Sequence, residues 1–166
     1  MSAARAYLIA LGSNRRHPFF GSPRDIVALA ADAVGDNLGE VVALSALVDS
    51  APVGPSQRRY ANAALVAESD LAPPEMLEGL QVIEAAMGRR RRGQRWGART
   101  LDLDIVLWSG GMWASGELAI PHPRFRERSF VLGPAAAIAP GWRDPLTGLS
   151  LAQLNARLTR PRPLLR

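Results

Sequence analysis

A chain of 166 residues with 48% hydrophobic and 21% charged content has the size and balance of one soluble globular domain. It lacks cysteine, which excludes disulfides and thiolate chemistry, and it lacks lysine, which excludes a P-loop lysine and a Schiff base. The formal charge of +5 is carried by arginine and favours anionic partners, either nucleic acid or small phosphates, while two histidines are too few for a histidine-rich metal site.

No apolar run approaches the length of a membrane span. The apolar stretch near the start is too short for a signal-peptide core and ends at Gly12-Ser13-Asn14 like a strand entering a turn, so a cytoplasmic chain is expected. In order, Arg5 to Leu11 reads as a central strand and residues 12–22 as a loop. Ser22-Pro23 is a helix entrance, and Ile26, Val27, Leu29, Ala30, Ala33 and Val34 keep helical spacing up to Gly35. Glu40 to Val48 reads as a second strand, Asp49 to Pro55 as a loop, and Tyr60 to Glu68 as a third strand that hairpins with the second. Pro73-Pro74 opens a second helix with an apolar stripe at Met76, Leu77, Leu80, Ile83 and Met87, capped by Gly88.

The stretch Gly88 to Ile105 holds six arginines and then Asp102 and Asp104 at i, i+2. Leu101, Leu103 and Ile105 alternate with the acids, as in a strand whose successive side chains face opposite ways. Both carboxylates then share one face, a seat for hard divalent cations such as Mg²⁺. The arginines suit a polyphosphate, which guanidinium binds in a bidentate fork. Together they suggest a site for a metal-bound nucleoside triphosphate. The same residues also fit a solvated basic loop before an edge strand with exposed acids.

Past Trp108 the pattern weakens. Ser109-Gly110-Gly111 is a turn, Glu117 to Ile120 a short strand, and Phe130 to Ile138 and 150–158 short helices. Residues 1–159 are expected to form a single domain and the basic, proline-broken 160–166 a disordered tail. The order strand, helix, strand, strand, helix, strand is the ferredoxin-like split arrangement. The predicted class is α+β, an antiparallel sheet with helices packed on one face and a C-terminal extension.

The run Arg95-Trp96-Gly97-Ala98-Arg99-Thr100-Leu101-Asp102-Leu103-Asp104-Ile105 resembles the signature of the 6-hydroxymethyl-7,8-dihydropterin pyrophosphokinase family. Four other segments agree in type and order: Ala10 to Asn14, Pro52 to Pro55, Tyr60 to Ala63, and Ile120 to Arg124. The resemblance extends from about Tyr7 to Leu158 and implies transfer of the terminal pyrophosphate of ATP, as co-substrate, to a pterin hydroxymethyl group, releasing AMP. It implies two Mg²⁺ ions held by Asp102 and Asp104, and no Lys or Cys chemistry.

Further roles follow from the resemblance by position. Arg89 and Arg99 match triphosphate-binding arginines. Arg91, Arg92, Arg95 and Trp96 belong to a mobile loop expected to close over the phosphates once MgATP supplies counter-charge. His122 and Arg128 match residues that reach the phosphates from the other side, and Gln81 and Glu84 match helix positions near the nucleotide. Tyr60 and Phe130 match two residues that stack on the pterin, Asn62 one that reads its amide-like edge, and Ser50 and Val53 a pocket loop, Val53 acting through its backbone. The implied partners are small molecules, with no nucleic acid or membrane, and the chain is expected to be a monomer.

The chain departs from the family pattern at Ala98, where Pro is usual, and at Ala119, where Thr is commoner. Arg15 to Gly21 is unusually basic and aromatic and receives no role. A competing reading is a ferredoxin-like RNA-binding module, but alternating aromatics on a central strand are missing and Asp102 and Asp104 repel a phosphate backbone. A second is an inactive family member, against which the intact Asp pair argues.

Overall fold

The computed structural model describes residues 3–50, 59–88, 100–161 and 163–164. Strands β1 (Arg5–Ser13), β2 (Glu40–Leu44), β3 (Val48–Ser50), β4 (Tyr60–Ser69) and β5 (Asp102–Trp108) form one antiparallel sheet. The order is β2-β4-β1-β5, with β3 also paired to β4. Helices α1 (Pro23–Asn37) and α2 (Pro73–Ala86) follow β1 and β4. A short hairpin of β6 (Trp113–Ala114) and β7 (Ala119–Ile120) precedes a single 3-10 turn at Phe125–Glu127, then α3 (Ser129–Ile138) and α4 (Leu151–Thr159). No helix among the described residues is long and apolar enough to cross a membrane.

Alternation along the central strands builds two cores. Tyr7, Ile9 and Leu11 of β1 join Ala61, Ala63 and Leu65 of β4 and Leu103 and Ile105 of β5 under α1 and α2. Leu8 and Ala10, with Ala64 and Val66, face the other way and meet Phe125, Val131, Leu132, Ala135, Leu151 and Leu154. The C-terminal extension is therefore a full second layer, and the helices cover both faces instead of the one face the sequence pattern predicts. Every fully buried strand needs apolar cover on each side, and the near-continuous apolar runs 7–11 and 61–67 meet that condition.

Two further boundaries differ from expectation. The strand foreseen from Glu40 to Val48 breaks at residues 45–47, where the Ser45 hydroxyl accepts the Ala64 N–H at 2.9 Å and replaces a ladder bond. The first helix runs past Gly35 to Asn37, because the Leu38 N–H still closes a turn on the Val34 carbonyl. At its start the Ser22 hydroxyl and the Asp25 carboxylate form a reciprocal capping box, as Ser22-Pro23 predicts. The edge strand β5 is tied down from outside the sheet. Buried Glu84 of α2 accepts the Leu103 N–H at 3.1 Å, supplying a partner where the described residues place no further strand.

In the second layer, Arg126 forks onto Asp144 through Nε at 2.6 Å and Nη2 at 2.7 Å, and Thr147 and the Leu146 N–H also donate to that carboxylate. Asp144 is completely buried, so this pair fixes the 3-10 turn to the loop before α4. Burial raises the Asp144 pKa, but the bonds from Arg126, Thr147 and Leu146 overcome it and hold the carboxyl below its ordinary range. Breaking a buried pair costs about 3–5 kcal/mol, and the partly exposed Arg126 places this one near the lower end. Asp144→Ala is expected to lower Tm by about 6–12 °C, at roughly 2–4 °C per kcal/mol for this size. The contribution is complete above the unfolded carboxylate pKa and is lost as pH falls through the lowered folded value. Thermal scans from pH 7 to pH 3 should therefore show wild type and variant converging; a constant gap would contradict the role.

Candidate active site

Between the second face of the sheet and the C-terminal layer lies a cavity of about 610 Å³. Its sheet side is Ala10, Leu11 and Gly12 of β1, Ser50 of β3, Tyr60 and Asn62 of β4, and Asp102 and Asp104 of β5. His122, Arg124, Glu127, Arg128, Phe130 and Val131 form the opposite wall.

The carboxylates arrive there by register. Asp102 pairs with Gly12 and Asp104 with Ala10, while Leu103 pairs with Leu11 and points into the α1–α2 core. Both acids are half-buried on one face, roughly 7 Å apart along the strand. Gly12 keeps the floor open beside them: a Cβ there would stand 3.2 Å from Asn62 Oδ1. Asn62 is buried, and its Nδ2 donates to Ser50 Oγ at 2.8 Å, so its orientation is set by β3. The carbonyl end of that amide is directed toward Gly12.

The opposite wall is cationic and aromatic. The Arg128 guanidinium lies 5.9 Å from the Phe130 ring centroid, within cation–π range. His122 Nδ1 accepts the Arg124 N–H at 3.1 Å, so the imidazole proton is on Nε2. Burial lowers the His122 pKa, and the charge of Asp104 opposes that, with Arg128 and Arg124 lowering it further. The net direction is down, which leaves His122 a neutral Nε2–H donor at neutral pH. Among the described residues no group of three or more His, Cys, Asp or Glu could hold a metal. What Asp102 and Asp104 offer is two carboxylates in an open cavity. That donor set suits Mg²⁺, which keeps waters and takes its remaining oxygens from substrate phosphates.

Of the residues singled out from the sequence, Ser50, Tyr60, Asn62, Asp102, Asp104, His122, Arg128 and Phe130 all line this cavity. Gln81 and Glu84 do not; α2 packs on the other face of the sheet, and Glu84 is engaged with the Leu103 N–H of β5. Val53, Arg89, Arg91, Arg92, Arg95, Trp96 and Arg99 lie outside the described residues. Arg124 and Glu127 line the cavity without having been singled out. Their signal was the charge run from Arg124 to Arg128, in which sequence alone does not separate cavity from core: Arg126 turns inward to Asp144.

Glu84→Ala should leave a buried N–H on Leu103 without its acceptor, at a cost of about 1–3 kcal/mol, whereas Glu84→Gln keeps an oxygen there. Amide hydrogen exchange at Leu103 is expected to quicken in Glu84→Ala and stay near wild type in Glu84→Gln. Equal protection in all three proteins would contradict the bond.

With this geometry in view, residues 8–140 match the family model described as 7,8-dihydro-6-hydroxymethylpterin-pyrophosphokinase (HPPK). A 2-amino-4-hydroxy-6-hydroxymethyldihydropteridine pyrophosphokinase of Pseudomonas aeruginosa is 41% identical over 151 residues, covering 89% of this chain and 88% of that protein. The protein of the same name from Synechocystis is 42% identical over 115 residues, 69% of this chain and 58% of the relative, so the match spans little more than half of that protein. Crystalline wild-type HPPK-DHPS of Plasmodium falciparum superposes with a TM-score of 0.72 over 93% of this chain and 44% of that one, at 12% identity, a likeness of fold.

Proposed function

This chain belongs to the 7,8-dihydro-6-hydroxymethylpterin-pyrophosphokinase family, and we propose that its cavity transfers the pyrophosphate of ATP to the hydroxymethyl group of 6-hydroxymethyl-7,8-dihydropterin in folate synthesis. The observation that carries the reading is the convergence of two strand carboxylates, a cationic wall and two aromatic rings on one cavity. The pterin hydroxyl oxygen attacks the β-phosphorus and gives up its proton to solvent, the bond from that phosphorus to the α-bridging oxygen breaks, and AMP leaves with that bond's electron pair. The nucleophile is a neutral alcohol, so the task is positioning and charge neutralisation, for which neither Lys nor Cys is needed.

Asp102 and Asp104 would hold two Mg²⁺ ions, which supply Lewis-acid polarisation of the phosphates when bound. Arg128 and the Nε2–H of His122 would hold phosphate oxygens from the opposite wall, and Arg124 lies on the same side. Arg89 and Arg99 enter on sequence grounds as further triphosphate ligands, and Arg91, Arg92, Arg95 and Trp96 as nucleotide-binding residues of the loop between them. Gln81 and Glu84 stay assigned to the nucleotide by family position alone, Glu84 with a bond to the backbone of β5 besides. Tyr60 and Phe130 would stack on opposite faces of the pterin. Asn62, anchored by Ser50, would pair with its amide-like edge, with Val53 contributing backbone contacts. The same reading has the chain acting as a cytoplasmic monomer on small molecules.

The test is AMP formation by the pure protein from ATP, which is expected when the pterin alcohol and Mg²⁺ are both supplied and absent when either is withheld. Asp102→Ala and Asp104→Ala are expected to abolish turnover with far-ultraviolet circular dichroism unchanged; near-normal activity of either at saturating Mg²⁺ would overturn the metal assignment.

Phe130→Ala and Tyr60→Ala each remove one stacking face, worth about 0.5–1.5 kcal/mol beyond buried area. Calorimetric titration should show pterin affinity at least roughly tenfold weaker and the affinity for an ATP analogue little changed. A variant that melts earlier yet binds pterin normally marks its ring as core.

A further inference from the structure

The loop from Arg15 to Gly21 has a built interior that the proposed reaction does not use. Paired backbone bonds between His17 and Gly21, at 2.8 and 2.9 Å, close it. His17 Nδ1 accepts the N–H groups of Phe19 at 3.0 Å and Phe20 at 3.2 Å. With Nδ1 an acceptor, the ring proton is on Nε2 and points away from the loop. The ring also packs on Phe20, centroids 4.7 Å apart, and Phe20 packs on the α1–α2 core. The imidazole is thus held from below and presents one edge outward.

That edge meets Gly88. A Cβ on Gly88 would stand 3.1 Å from both Cδ2 and Nε2 of His17, and 3.7 Å from Thr100 Oγ1. Gly88 has φ +92°, a conformation that side chains rarely adopt, so a side chain here would be strained in its backbone as well as crowded by the His17 ring. Gly88 and Thr100 are the residues on either side of the stretch 89–99, which holds the six arginines. They approach each other at the His17 edge, 71 and 83 residues away along the chain. Continuing the β1–β5 register past Gly12–Asp102 puts Ser13 level with Leu101 and Asn14 level with Thr100. Ser13 Oγ and Asn14 Oδ1 are buried there without a partner among the described residues, so the corner has acceptor capacity for further N–H donors.

We propose that His17 is a positioning residue for the nucleotide: its ring braces Gly88 beside Thr100 and so fixes the base from which the arginine-rich stretch departs. Arg89 follows Gly88 directly, and a base displaced by about 1 Å would misplace its cations, an error that can reduce a rate up to roughly a hundredfold. The pterin side is untouched, because Tyr60, Asn62 and Phe130 are positioned by β3, β4 and α3. The inference rests on the function proposed above.

The experiment compares His17→Ala and His17→Asn with wild type. Asn keeps an oxygen near the Nδ1 position to accept the Phe19 and Phe20 N–H groups, but it lacks the ring edge. Both variants are expected to raise KM for ATP, and the Kd of a non-hydrolysable ATP analogue, by roughly tenfold. Pterin Kd should remain at its wild-type value in both, and Tm should remain near wild type in His17→Asn, which keeps the loop's acceptor. A wild-type KM for ATP in His17→Asn would overturn the inference by showing that closing the loop is all the residue does. Parallel weakening for both substrates with a lowered Tm would overturn it too, as the mark of general destabilisation. Failure of the wild-type protein itself to form AMP would instead refute the function on which the inference rests.

Discussion

Everything in the site depends on the register of β5. Leu103 and Ile105 are buried under α1 and α2, so Asp102 and Asp104 have no choice but the opposite face. A slip of one residue would drive two carboxylates into an apolar core and expose the aliphatics, a cost no local adjustment recovers. Among the described residues the strand is an edge, with one ladder to β1, and edges are where register slips. Glu84 counters that from the helix side by accepting the Leu103 N–H, which names one residue of β5 and no other.

A face that carries two carboxylates still has to be roofed, and the C-terminal layer does this with charge of the opposite sign. Its helices bury Leu132, Ala135 and Leu151 against the sheet, while the segment 122–131 that enters the layer lines the cavity. The 3-10 turn in that segment is held by Arg126 on Asp144, and the flanking Arg124 and Arg128 face the cavity. One guanidinium in three is thus used for structure, and it releases the other two for binding. His122 is placed by its own backbone as well: its N–H donates to the Val106 carbonyl, which ties this residue to the far end of β5.

The sheet was legible because its strands repeat with period two and its helices open on Ser22-Pro23 and Pro73-Pro74, signals contained within a few residues. The carboxylate face followed from the same alternation. The second layer was not legible as a layer, since Ala, Pro and Gly dominate 133–141 and the bond that locks it joins residues 18 apart. Glu84 shows a different limit. Family position puts it near the nucleotide, and no pattern in α2 reveals that its oxygen meets a strand N–H 19 residues on. The loop 15–21 was opaque for the same reason: beyond its local bonds, the ring edge of His17 lies against Gly88, and only the fold brings them together.

The two layers are not independent supports. Adjacent residues of β1, Leu8 and Ile9, feed different cores, as do Ala63 and Ala64 of β4. Loosening either layer therefore shifts the strands that the other layer grips, because close-packed interiors transmit displacement instead of absorbing it. The cavity lies between β4, β1 and β5 below and the 122–131 segment above, so its width is set by the packing of both cores. Chemistry that works by positioning a neutral alcohol against a phosphorus tolerates little error in that width. Stability of the C-terminal layer and geometry of the site are on this view one property, which explains why a completely buried carboxylate, costly to desolvate, is paired with the partly exposed Arg126 between the two arginines that face the cavity.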